Sequence, residues 1–162
     1  MDESRRMGKS LYCCFVDFKK AFDTVPRDGL WERMQMLGVP IELCMGIYRL
    51  YERVVCHLKS TNGFSQAFVS NMGVKQGCPL SPTLFGLCID ELEEMILEYA
   101  QSNVIDGPQI GLFVVLVLLY GDDVALLAYT IEGLQKLLEL LHAFCRKSGL
   151  VVNVSKTKFM IV

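Results

Sequence analysis

The sequence has 162 residues, 52% of them hydrophobic, and a formal net charge of −2. That length and apolar content suit one domain with a packed core and exclude disorder of the whole chain. The slightly acidic balance argues against a self-sufficient nucleic-acid binder, because neutralisation of phosphates by Lys and Arg is the main source of such affinity.

Residues 1–10, MDESRRMGKS, form a charged N-terminal segment with no following apolar stretch and small-residue cleavage site, which predicts an intracellular protein, nuclear or cytoplasmic, rather than a secreted one. Leu11–Phe18, LYCCFVDF, is an apolar and aromatic run of strand length that carries a carboxylate, Asp17, near its end. The Lys19-Lys20 pair follows. Pro26 suits a first helical position, and Leu30, Trp31, Met34 and Leu37 recur at helical spacing until Gly38. Pro40 starts a second helix reaching about Arg53.

Val54–Lys59 and Phe64–Ser70 flank Ser60-Thr61-Asn62-Gly63, and an Asn-Gly between alternating runs predicts a hairpin. Gly73–Pro82 reads as a loop entering a helix of about 19 residues, with Ser81 as N-cap and Pro82 as first helical residue. Gln101–Gly111 is a polar connection. The longest uninterrupted apolar run, Leu112–Leu119, is far shorter than the roughly 20 residues of a membrane-spanning helix and reads as a buried strand, so no membrane partner is expected. Strands are expected on both sides of Tyr120–Asp123. Thr130 caps a helix carrying Leu134, Leu137, Leu138, Leu141 and Phe144, ended by Gly149. Val151–Val154 and Lys158–Val162 close the chain as short strands.

The seven cysteines are an odd set with no Cys-x-x-Cys pair and read as small core residues. His57 and His142 have no ligand-like partner at three- or four-residue spacing, so neither is a site candidate. The order of elements is an α+β pattern, with helices packed on one face of an antiparallel sheet.

Asp17 ends one expected strand, and Asp122 and Asp123 sit at the turn of another hairpin, YGDD. If those strands are neighbours, three carboxylates meet at one sheet edge. Such a cluster repels itself unless a divalent cation resides there, and Mg²⁺ accepts few carboxylates when phosphates and water complete its shell. Two such ions about 3.5–4 Å apart are the arrangement that assists phosphoryl transfer. A solvated hairpin turn is the plain alternative for Asp122 and Asp123.

The chain resembles the palm of reverse transcriptases, most closely those of non-long-terminal-repeat retrotransposons and the related group II intron enzymes. Four motifs carry the resemblance in the family's order: Phe15-Val16-Asp17-Phe18-Lys19-Lys20-Ala21-Phe22-Asp23; Gln76-Gly77-Cys78-Pro79-Leu80-Ser81-Pro82; Tyr120-Gly121-Asp122-Asp123; and Gly149–Lys158, GLVVNVSKTK. The resemblance covers residues 11–162 and implies a polymerase palm, an RNA-directed DNA polymerase that extends a DNA primer on an RNA template with deoxynucleoside triphosphates and two Mg²⁺ ions, Mn²⁺ being a substitute. It implies that Asp17 and Asp122 bind both ions, with the Phe18 carbonyl a further ligand and Asp123 an accessory one. It implies that Phe22 is a steric gate under the sugar, that Gln76 packs near the sugar and 3′-hydroxyl, and that Gly77 and Pro79 shape the loop. Lys156 resembles the lysine that protonates or stabilises departing pyrophosphate.

Gly121 stands where close relatives usually carry Ala, and Gly-Asp-Asp is also the turn of viral RNA-dependent RNA polymerases. Phe22 and the Gln-Gly-x-Pro-Leu-Ser-Pro loop favour the reverse transcriptase. Asp23 suits both the retroelement pattern and a cap on the following helix. Family enzymes also carry fingers before the first motif and a thumb after the fourth, and these are expected to be missing or truncated here and needed from a longer polymerase. A catalytically inactive retroelement-derived fragment, or an interaction module, is the alternative.

Overall fold

The computed structural model describes residues 8–61 and 63–162. Met1–Met7, most of the charged N-terminal segment, and Asn62 of the expected Asn-Gly turn lie outside the described residues. In chain order the elements are β1 (Tyr12–Val16), α1 (Ala21–Thr24), α2 (Arg27–Met36), α3 (Ile41–Tyr51), β2 (Val54–Cys56), β3 (Lys59–Ser60), β4 (Gly63–Phe64) and β5 (Phe68–Ser70). They continue with α4 (Ser81–Ser102), β6 (Gln109–Ile110), β7 (Phe113–Val114), β8 (Val117–Tyr120), β9 (Asp123–Ala128), α5 (Ile131–Ser148) and β10 (Lys158–Ile161). Two units are distinguishable, one formed by the chain up to Ala21 with Ile89–Val162, the other by Phe22–Cys88.

In the first unit the strands lie in the order β10-β1-β9-β8, every neighbour antiparallel. Alternation assigns the two faces. On β9, Val124, Leu126 and Ala128 are buried, and their partners on β1 are Val16, Cys14 and Tyr12. Cross-strand partners share a face, so these residues make one apolar layer. Helix α5 packs on β1 and β9 and buries Leu134, Leu137, Leu141 and Phe144. It starts where the Thr130 hydroxyl accepts a hydrogen bond from Gly133 N (3.0 Å) and stops at Gly149, whose φ of 74° suits a residue without a side chain. The expected architecture, helices on one face of an antiparallel sheet, is present.

The second unit is built on helices. Leu30, Met34, Cys44, Ile47, Tyr51, Val74 and Leu84 form its core. The expected hairpin exists but splits into two short ladders, β2 with β5 and β3 with β4.

Several local expectations need correction. Leu112–Leu119 is not one buried strand: Gly111 (φ 63°) turns the chain between β6 and β7, which leaves Leu112 97% exposed, and only Val117 onward joins the main sheet. An apolar run carries no mark of an interruption that begins just before it. Pro26 is an N-cap rather than a first helical residue. Ser81 belongs to α4, and its hydroxyl donates to Lys75 O (2.6 Å). Val151–Val154 forms only a single bridge, Phe18 with Val152, before a turn. Among the described residues no helix is long and apolar enough to cross a membrane.

Candidate active site

Strand β1 ends at Val16, which pairs with Val124 on β9. One step further the register brings Asp17 alongside Asp123, on the face opposite the α5 layer. Tyr120 pairs with Asp123, so Gly121 and Asp122 alone make the turn between β8 and β9. Gly121 has a φ of 60° and Asp122 is not among the described residues with positive φ, the pattern of a type II′ hairpin with glycine first. The tight turn fixes the register of β8 on β9, and the separate register of β9 on β1 places Asp123 beside Asp17.

The chain beyond Asp17 is held by the fourth motif. Asn153 N donates to Asp17 O (2.7 Å), Lys19 N donates to Val151 O (2.8 Å), and Asp17 N lies 3.4 Å from Thr157 Oγ1. Asn153 O in turn accepts from Lys156 N and Thr157 N, which folds the Ser-Lys-Thr segment back toward the strand end. Lys156 Nζ thereby comes to 3.9 Å from Asp17 Oδ2. Lys20 is the one non-glycine residue with positive φ (50°) among those described, so the chain leaves this strand through a strained turn.

Phe15, Asp17, Leu118, Tyr120, Asp123, Ala125 and Lys156 line an open cavity of about 580 Å³. Asp17 Oδ2 is buried and has no hydrogen-bond partner. A buried carboxylate oxygen left without a donor is costly, and an exposed lysine 3.9 Å away offsets little of that cost. Asp122, in the turn, is not among the residues lining the cavity. Among the described residues no group of three His, Cys, Asp or Glu side chains makes a finished cation site. The oxygen-only donor set with its orphaned atom fits a hard divalent cation that keeps water or phosphate ligands. Phe18 has its ring buried in the core, which leaves only its backbone carbonyl to offer. Burial raises the thiol pKa of Cys13 and Cys14 and pushes that of Cys145 up to about 11, so these are not activated nucleophiles.

The other predicted residues meet in the second unit. Phe22, Gln76, Gly77 and Pro79 line an open cavity of about 410 Å³ together with Lys75, Cys78, Ser81 and Pro82. The Phe22 ring stacks on Phe85 (centroids 4.8 Å apart, planes at 22°), which makes it a supported wall. Gly77 has a φ of 80° and open space where a Cβ would stand. Gln76 Nε2 donates to Asp23 Oδ1 (2.9 Å). Asp23 does not cap the following helix, whose N-cap is Pro26 with no side-chain hydrogen bond.

Three supporting residues escaped sequence reasoning. Thr157 and Asn153 were read only as members of a motif, and Arg27 was not singled out, although it donates to four backbone carbonyls around the loop. A charged residue in the first turn of a helix carries no sequence signal for such a role.

The sequence matches the reverse transcriptase (RNA-dependent DNA polymerase) family over residues 1–161. It is 32% identical over 153 residues to the retrovirus-related Pol polyprotein of a type-2 retrotransposable element of Drosophila melanogaster, and 31% identical over 148 residues to that of a type-1 retrotransposable element of Nasonia vitripennis. These alignments cover 94% and 91% of this chain, which spans 14% of the length of each relative. A telomerase from Candida albicans, solved with the TWJ fragment of telomeric RNA, superposes with a TM-score of 0.72 at 15% identity, covering 98% of this chain and 28% of that one. The apo telomerase of Candida tropicalis truncated from its C-terminal domain gives 0.72 at 17% identity, covering 99% and 33%. At such identity the likeness speaks for the fold alone, but the family match extends over nearly every residue described above. The chain therefore belongs to the reverse transcriptase (RNA-dependent DNA polymerase) family of nucleotidyltransferases.

Proposed function

We propose that residues 11–162 form a polymerase palm that adds deoxynucleotides to the 3′-hydroxyl of a DNA primer as an RNA template directs. In this reading Asp17 and Asp122, with Asp123 and the Phe18 carbonyl, hold two divalent cations, Mg²⁺ or in its place Mn²⁺. The observation that carries the reading is the Asp17 carboxylate, whose Oδ2 is buried without a hydrogen-bond donor beside Asp123 on the open face of the sheet. Cations bound there supply charge neutralisation on the triphosphate and a lowered pKa for the primer hydroxyl.

The chain's own groups supply the rest. The Asn153 and Thr157 contacts hold the Asp17 main chain and so fix the point from which its carboxylate extends. Lys156 Nζ holds a proton within reach of the site and gives it to the departing pyrophosphate, a general-acid contribution of about 10²–10⁴-fold. Phe22, stiffened by Phe85, closes the space a ribose 2′-hydroxyl would need. Gln76 meets the sugar, and Gly77 lets the backbone approach it. No protein nucleophile is required.

Primer extension on a primed RNA template with Mg²⁺ or Mn²⁺ tests the reading, both in this chain and with this segment transplanted into the Drosophila relative. Asp17→Asn is expected to lower synthesis by about 10³-fold or more, on the scale of lost transition-state charge stabilisation. Its thermal midpoint is expected to stay close to that of the unsubstituted protein, because Asp17 is partly exposed and the amide is nearly isosteric with the carboxylate. Undiminished synthesis by Asp17→Asn or Asp122→Asn removes that residue from the metal site. Incorporation of ribonucleotides and deoxynucleotides at equal rates removes Phe22 as a gate.

A further inference from the structure

Asp23 is exposed, lies in the four-residue helix α1, and caps nothing. Its carboxylate nevertheless reaches a residue 53 positions away, accepting a hydrogen bond from Gln76 Nε2 at 2.9 Å. That contact stands on a rigid base. Val74 N donates to Phe22 O (2.7 Å) and Gly73 N donates to Val25 O (2.8 Å), so the loop is laced to α1 on both sides of Asp23. Gly73 has a φ of 79°, and a Cβ there would stand 2.5 Å from the Asp23 carbonyl oxygen. Only glycine permits so close an approach. The main-chain separation is set before the two side chains meet.

We propose that Asp23 is a positioning residue that sets the hydrogen-bond polarity of Gln76. A carboxylate only accepts, so it engages the amide nitrogen and leaves the carbonyl Oε1 as the group presented to a ligand. The ligand class this fits is a hydrogen-bond donor, and within the cavity walled by Phe22 that donor is a sugar hydroxyl of the incoming nucleotide. A phosphate oxygen offers only acceptors and does not fit. Without Asp23 the near-isosteric ends of the amide exchange places, and the acceptor is no longer defined. The inference rests on the reading of Gln76 as a sugar contact.

The test compares incorporation of a deoxynucleotide and its 2′,3′-dideoxy analogue by the unsubstituted protein, Asp23→Ala, Asp23→Asn, Gln76→Ala and the Asp23→Ala/Gln76→Ala pair. Gln76→Ala is expected to lose about tenfold in preference for the nucleotide that carries a 3′-hydroxyl, the size of one well-placed hydrogen bond. Asp23→Ala is expected to lose a similar factor through KM with kcat nearly kept, and the double variant to be no worse than either single one. Asp23→Asn still offers an oxygen to Nε2 and retains most of the preference. If Gln76→Ala loses the preference while Asp23→Ala keeps it, the positioning role is overturned. If Gln76→Ala keeps it, the sugar contact fails instead. A second readout needs no turnover: in the 162-residue chain, one Gln76 side-chain amide proton is expected to be shifted downfield of its free-glutamine position and slow to exchange, and to return toward the free-glutamine value in Asp23→Ala. Identical amide signals in both proteins overturn the proposal.

Discussion

The two units hold their candidate sites by different means. In the sheet unit, Asp17 and Asp123 stand at the ends of adjacent strands whose main chains are laddered along β1, β9 and β8. In the helical unit, Gln76, Gly77 and Pro79 sit on a loop approached by one side chain above all. Arg27 donates to the carbonyls of Gly73 (2.9 Å), Ser70 (2.9 Å), Met72 (3.0 Å) and Tyr51 (3.2 Å), and its guanidinium lies 5.2 Å from the Tyr51 ring centre. Burial lowers the Arg27 pKa while Tyr51 and Cys56 raise it, and a guanidinium remains a cation throughout. A ladder spreads its load over many bonds, whereas a hub concentrates it. The two aspartates are thus held by the ladder, and the start of the Gln76 loop by the hub.

Substitutions at three positions break or sharpen that contrast. Phe144→Ala empties a fully buried site under the sheet and is expected to cost about 3–5 kcal/mol in denaturant unfolding, with the loss of exchange protection confined to β1, β9 and α5. Equal loss in loop 73–79 would make the two units one. Arg27→Ala takes the guanidinium from four carbonyls, of which Met72 O keeps the Ser70 hydroxyl, and is expected to cost about 2–3 kcal/mol, with faster amide exchange in that loop and none in β9. Arg27→Lys recovers little of it, because an ammonium lacks the planar fork. A cost below that of an ordinary surface change would deny Arg27 its role as hub. Gly121→Ala forces a side chain into a φ of 60° and is expected to cost about 1–2 kcal/mol, read as a small fall in thermal midpoint with a shift of the Asp123 resonances.

Much of the sheet was legible because its signals are local. The apolar run after Asp123, the Gly-Asp turn, Thr130 and Gly149 each act over a few residues, and each forms as the sequence predicts. What escaped is non-local or competitive. Ser81 has the composition of an N-cap, but the Lys75 carbonyl six residues earlier and the Tyr51 hydroxyl (3.2 Å) claim its oxygen. The pairing of Asp23 with Gln76 has no periodicity to reveal it. At the site itself, spacing placed three aspartates near one another but did not say which faces the cavity; the pairing of β9 with β1 decides that Asp123 lines it with Asp17. The family motifs located the loop around Gln76, while the guanidinium that braces it belongs to no motif named above.

The two-residue turn at Gly121-Asp122 also constrains which genetic changes this chain survives. Side chains alternate faces along a strand with a period of two, so adding or removing a single codon between Leu118 and Tyr120 would slip the start of β8 by one place against β9 and turn Leu118 from the cavity toward the apolar layer, while β9 keeps its own register on β1. Length variation among descendants of this sequence is therefore expected at turns such as Gly111-Leu112, outside the main sheet, and not at the hairpin that carries the aspartates.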